Sequence, residues 1–157
     1  MTTLFSERKK VKEIEEGKSL QPKFDSNGLI PVITSEYKTN LILMHGFMNK
    51  EALSLSIKTG LAHYWSRSRR ALWKKGETSG LFQKINEMKI DDDQDCIWIS
   101  VSVEGNGASC HVGFKSCFYR KIILNKNSNS ADLVYTEKQR VFDPKKVYGD
   151  APNPTKI

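Results

Sequence analysis

The sequence predicts a mainly β or α+β fold, a compact sheet-rich single domain with one or two short helices. Three observations carry that prediction. Runs of β-branched and aromatic residues outnumber helical patterns. Ile97, Ile99, Val101 and Val103 alternate strictly with Trp98, Ser100 and Ser102, the period of a half-buried strand. The length, 157 residues, suits one hydrophobic core and excludes a multidomain enzyme.

Residues 1–22 form a polar arm, in which Val11, Ile14 and Leu20 mark a turn or two of amphipathic helix. The working domain spans residues 23–134. Leu29–Thr34 and Leu41–Met44 are short β-prone runs separated by polar residues, the pattern of a hairpin. Asn49 then stands as an N-cap before Glu51; Ala52, Leu53 and Ile57 follow at helical spacing, with Gly60 at the stop position. His63–Ser66 reads as a strand, Leu81–Ile90 as extended, and Cys117–Leu124 as the end of the sheet. Residues 135–157 are a tail or docking strap, because Pro144, Pro152, Pro154 and Gly149 resist helix interiors and central strands.

Twenty-five basic against 18 acidic side chains give a net charge of +7, which favours an anionic partner: a phosphorylated small molecule, a nucleic acid or a membrane surface. No apolar run is long enough to span a bilayer, and the first twenty residues offer no apolar signal core, so a soluble cytoplasmic protein is expected. Three Cys, two of them in a short segment beside a His, suit a metal site better than a disulfide framework.

Three segments carry chemistry. Asp91-Asp92-Asp93-Gln94-Asp95 places four carboxylates in five residues, a repulsive cluster that water or a cation must screen. Asp91, Asp93 and Asp95 share one parity and offer hard oxygen ligands for Mg²⁺ or Ca²⁺. An EF-hand is excluded, since its glycine and glutamate positions fall on Cys96 and Ser102; an acidic turn facing solvent is the plain alternative. Cys110-His111-Val112-Gly113-Phe114-Lys115-Ser116-Cys117 sets two thiols and an imidazole about a glycine, donors that favour Zn²⁺, though a buried Cys is also a common small hydrophobe. Two thiols cannot close a tetrahedron, so a further ligand must come from elsewhere. Tyr64 to Gly80 joins Arg67, Arg69, Arg70, Lys74 and Lys75 to Trp65, Trp73, Thr78 and Ser79, a set suited to phosphate esters or RNA, or to a solvated basic surface over two core Trp.

These segments, in this order, resemble phosphoribosyl-AMP cyclohydrolases, which open the adenine ring in histidine biosynthesis. The resemblance runs through Gly28-Leu29-Ile30-Pro31, Met48-Asn49-Lys50-Glu51-Ala52-Leu53, Tyr64-Trp65-Ser66-Arg67-Ser68-Arg69, Leu72-Trp73-Lys74-Lys75-Gly76-Glu77-Thr78-Ser79-Gly80, Cys110-His111-Val112-Gly113 and Ser116-Cys117-Phe118-Tyr119-Arg120. It implies a monofunctional cytoplasmic hydrolase that forms a homodimer. Mg²⁺ would be held by Asp91, Asp93 and Asp95, and Zn²⁺ shared between subunits with Cys110 and Cys117 as two ligands. The family's acidic motif reads Asp-Cys-Asp-x-Asp, its Cys being the third zinc ligand; this chain has Asp92 there. Asp92 as an oxygen ligand is the favoured replacement, and Cys96, four residues on, the alternative.

On this reading the substrate is a phosphoribosyl adenine nucleotide with two phosphates, bound by Trp65, Arg67, Arg69 and Lys75, with Thr78 and Ser79 as hydrogen-bond donors. His111 is the expected catalytic proton carrier, with a structural histidine capping the Cys loop as the alternative; His63 and His45 have no assigned role. No membrane or nucleic-acid partner is expected, because the aspartates would repel a polyanion. The rival readings are a zinc-containing nucleic-acid-binding module and a catalytically weakened nucleotide-binding relative.

Overall fold

The computed structural model describes residues 4–124, 126–127, 129–155 and 157. Its elements are α1 (Val11–Glu16), β1 (Leu29–Glu36), β2 (Ile42–Asn49), α2 (Lys50–Thr59), β3 (His63–Ser66), β4 (Ala71–Lys74), β5 (Gln83–Ile90), β6 (Ile97–Val103), β7 (Arg120–Ile122), β8 (Leu133–Tyr135) and α3 (Pro144–Tyr148). The sheet-rich class read from the sequence is the one observed. Among the described residues no helix is long and apolar enough to cross a membrane.

Four strands form the main sheet in the order β2-β1-β6-β5. β1 and β2 make the antiparallel hairpin, β6 lies parallel to β1, and β5 pairs antiparallel with β6. Strand parity sets the core: Ile30 and Val32 of β1, Met44 and Met48 of β2, and Ile97, Ile99 and Val101 of β6 are buried together. Ile33 and its register partner Trp98 fall on the opposite face, where both are exposed.

Helix α2 covers the core face with Ala52 and Leu53. Its ends are those the sequence marks: the Asn49 side chain accepts the Ala52 N–H at 2.8 Å, and Gly60 closes the helix in the left-handed region at φ 69°. Asn49→Ala leaves that N–H without its cap, and a loss of about 1 kcal/mol in urea unfolding is expected.

The β3–β4 hairpin lies against β2 and inserts Tyr64 into the core. The Tyr64 hydroxyl lies 2.7 Å from Thr34 Oγ1 and donates to Gln83 Oε1 at 2.7 Å, so three buried polar groups satisfy one another. The run His63–Ser66, which reads as a strand in the sequence, is β3, whereas β4 lies inside the basic run and has no pattern of its own there.

Cys117–Leu124 does not complete the main sheet. Cys117 donates one backbone bond to Leu43 O at 2.7 Å, and Arg120–Ile122 pairs only with β8, in a separate two-stranded ribbon. All three β7 residues are exposed, so no buried apolar face ties that strand to the sheet.

Candidate active site

The acidic residues occupy the turn from β5 into β6. Gln94 bends the chain with φ 59°, and Asp91 Oδ1 accepts the N–H groups of Asp95 and Cys96, both at 2.9 Å. One carboxylate oxygen from each of Asp91, Asp93 and Asp95 lies within 4.8 Å of the others. Desolvation, then the charges of Asp93 and Asp91, raises the Asp95 pKa, while Lys23, 3.8 Å away, opposes the rise. Three hard oxygen donors converging under mutual repulsion are a donor set that fits Mg²⁺. Asp92 points to solvent; the half-buried Cys96 thiol has its pKa raised by burial and by Asp91 and Asp95.

At the other end of the sheet the Cys-His segment folds into a tight loop, with Cys110 N–H bonded to Phe114 O at 3.2 Å and Gly113 N–H to Cys110 O at 3.0 Å. The Glu137 carboxylate closes it, accepting the N–H groups of Lys115 at 2.9 Å and Ser116 at 3.0 Å. Interaction between the two thiols favours ionisation of Cys110, against desolvation and with help from Lys75, and opposes ionisation of Cys117. A soft pair with one thiol poised to ionise fits zinc.

Lys75 is buried beside this pair and donates to Ser109 O at 2.8 Å. Burial lowers its pKa, and the charges of Cys117 and Cys110 pull it back. His111 is half-buried; desolvation and Lys75 lower its pKa, and a hydrogen bond to the Asn153 side chain opposes them. The structure therefore gathers Cys110, Cys117, His111 and Lys75, and sets Lys75 apart from the exposed arginines with which the sequence grouped it.

Arg67 and Arg69 are exposed on the β3–β4 turn. Arg67 stacks on Phe47 at 4.1 Å; Arg69 lies 5.6 Å from the Trp73 ring, which also has Lys75 Nζ at 5.4 Å. Trp65 is half-buried, Thr78 is exposed, and Ser79 Oγ accepts the Leu81 N–H at 3.3 Å. His63 is buried with Nδ1 2.8 Å from Leu61 O, and His45 packs edge-on against Phe47.

The acidic turn and the thiol pair do not meet within one chain. Cys117 is bonded to Leu43, whose neighbour Ile42 pairs with Ser35, which pairs in turn with Ser100. Asp95 precedes that level by five residues of chain, about 16 Å along a strand. Among the described residues, the three aspartates are the one cluster in which three acidic, Cys or His donors converge.

A sequence model of phosphoribosyl-AMP cyclohydrolase matches residues 44–119. Among similar proteins, a phosphoribosyl-AMP cyclohydrolase of Rhodopseudomonas palustris (strain TIE-1) is 53% identical over 87% of this chain and 89% of its own. One from Sinorhizobium fredii (strain NBRC 101917 / NGR234) is 44% identical over 96% of this chain and 98% of its own. The chain belongs to the phosphoribosyl-AMP cyclohydrolase family. The matched span holds every site residue read from the sequence, but not Glu137, Asn153 or Arg8, which the fold brings to the two clusters from outside it.

A further contact ties the thiol loop to the sheet. Lys115 Nζ lies 2.8 Å from Glu36, and hydrogen bonds from Lys115 and then Thr39 lower the Glu36 pKa below its ordinary 4.5. A lowered carboxylate adds stability above pH 4.5 that is lost as pH falls through the folded value. Glu36→Gln is expected to flatten the acid limb of a stability profile below about pH 4.5, with an effect under about 1 kcal/mol at this partly open site; an unchanged limb would contradict that.

Proposed function

We propose that this chain hydrolyses the N1–C6 bond of 1-(5-phosphoribosyl)-AMP, using one site built from two copies of the chain. Water adds its oxygen to C6, the N1–C6 bond breaks, N1 takes a proton, and C6 becomes a carboxamide. Cys110 and Cys117 of one copy would hold Zn²⁺ with Asp92 of the other, and Asp91, Asp93 and Asp95 would hold Mg²⁺. When bound, zinc supplies Lewis acidity and eases ionisation of water near neutral pH.

The chain's own residues do the rest. His111, beside the thiols, takes the proton released as water adds and passes it towards N1. Arg67 and Arg69 bind substrate phosphate as exposed guanidinium forks beside Trp65, with Thr78 and Ser79 adding hydroxyl contacts. Lys75 holds the Ser109 carbonyl and lends positive charge to the thiols. The acidic triad would hold the cation, whose charge would favour a phosphate or ribose oxygen of the substrate beside Asp91, Asp93 and Asp95.

The observation that carries the shared site is the separation of the two ligand sets at opposite ends of one sheet. The exposed Ile33 and Trp98 on the uncovered sheet face add an apolar patch for a second copy to cover. Asp92 is favoured as third ligand because it is exposed, whereas Cys96 lies where its thiol resists ionisation. The homodimer and a cytoplasmic location belong to the same proposal.

Mixing tests it directly. Cys117→Ala and Asp92→Ala proteins, each inactive alone, are unfolded together and refolded; a shared site restores activity to a fraction of the dimers. No activity in the mixture, with mixed dimers demonstrated by sedimentation and mass, would remove the shared site from the account.

A further inference from the structure

Nothing in the acidic sequence explains how three carboxylates stay gathered before a cation neutralises them. Their repulsion favours splaying, and the turn that gathers them holds Gln94 in the left-handed region, unfavourable for a residue with a side chain. The compensating contacts come from far away in sequence, from residues 8–23.

Gln94 is buried between two of the carboxylates, with every polar group of its side chain met by the arm. Its Oε1 accepts the Gln21 N–H at 2.7 Å, and its Nε2 donates to Ile14 O at 2.9 Å and Ser19 O at 3.3 Å. Its backbone carbonyl accepts the Lys23 N–H at 2.7 Å. Arg8 spans arm and turn, donating through one guanidinium nitrogen to Gln21 O and through the other to Asp93 O at 2.8 Å. Phe5 packs edge-on against Phe24 at 6.2 Å, and both lie against the core, which anchors the arm at each end of this span.

We propose that the N-terminal arm is a clamp that holds Asp91, Asp93 and Asp95 in ligating order before the cation arrives, with Arg8 and Gln94 as positioning residues. The arm reaches the turn through its own backbone carbonyls and N–H groups and through Arg8 on a carbonyl. It fixes the backbone on both sides of Gln94, and of the triad's carboxylate oxygens it meets Asp95 Oδ2, from which Lys23 Nζ lies 3.8 Å away. The inference rests on the reading that this triad binds a divalent cation. Its physical content is preorganisation: groups that orient ligands without touching the metal typically set affinity by tenfold or more.

The test uses the full chain loaded with zinc, with Mn²⁺ as the probe of the acidic site, its binding followed by electron paramagnetic resonance. Arg8→Ala and Gln94→Ala are expected to weaken Mn²⁺ binding at least tenfold and to speed hydrogen exchange at the Asp95 and Cys96 amides in Mn²⁺-free protein. Far-ultraviolet circular dichroism and the urea unfolding midpoint stay close to those of the parent, which separates a loosened turn from an unfolded protein. Arg8→Lys, which keeps the charge and loses the fork, is expected to recover only part of the affinity. Should Gln94→Ala fail to fold, Arg8→Ala alone decides. Mn²⁺ affinity within twofold of the parent, with amide exchange unchanged, overturns the clamp. A parent protein that binds no Mn²⁺, or binds it as well after Asp91→Asn, overturns the metal reading of the triad and the clamp with it.

Discussion

Cys117→Ala is expected to abolish zinc binding and to lower turnover of phosphoribosyl-AMP by at least about a thousandfold, while far-ultraviolet circular dichroism stays unchanged. Cys117 is exposed and sits after the loop closed by Glu137, so its loss opens no core cavity. The loop keeps its backbone bonds, including Cys117 N–H to Leu43 O at 2.7 Å. What disappears is the second sulfur of a pair that cannot bind zinc alone. Loss of Lewis-acid activation is worth several kcal/mol of barrier, and each 1.36 kcal/mol is about tenfold in rate. A variant with less than tenfold loss of turnover would show that the thiol pair is outside the chemistry. Glu137→Ala is a milder version: both sulfurs remain, and the loop that presents them loses two bonds.

Gly76→Ala is expected to cost about 3 kcal/mol or more in stability. Gly76 has φ 95°, where an alanine is strained, and a Cβ there would lie 2.3 Å from Phe82 N and 2.6 Å from Phe82 Cα. Those are backbone atoms leading into β5, so no side-chain rotation relieves the contact. The residue before it is Lys75, whose amine serves Ser109 O beside the thiols, so the same shift moves a charge away from the thiol pair. Urea unfolding of zinc-free protein measures the stability loss without metal linkage; a change under about 1 kcal/mol would mean the 76–82 turn relaxes freely.

Local rules made most of the sheet readable. The alternation of Ile97 to Val103, the Asn49 cap and the Gly60 stop each express a preference within a few residues, and the elements lie where those signals fall. β4 was not readable because its four residues are all half-buried and lie in a basic run with no alternation of its own. β7 misled for the opposite reason: Arg120–Ile122 is β-capable, but its three exposed residues gave it no face by which to join the main sheet.

The candidate site divides in the same way. Aspartates at alternate positions and a Cys-x6-Cys loop announce their chemistry by spacing, and the fold gathers each set. Lys75 looked like its arginine neighbours because all three are cations; only the fold separates a buried amine from exposed guanidinium groups. Glu137, Asn153 and Arg8 act across 22, 42 and 85 residues of chain on Lys115, His111 and Asp93, and no periodicity or spacing marks them. A lone Glu or Arg in a polar tail is ordinarily solvated, so only the hydrogen bonds it makes after folding distinguish it.

The most direct test of the two-metal account is turnover of phosphoribosyl-AMP by metal-stripped protein, with Zn²⁺ and Mg²⁺ restored separately and together while ring opening is followed by absorbance. The account expects full activity only when both ions are present. Full activity with one ion alone, or none with both in a folded protein, would contradict it.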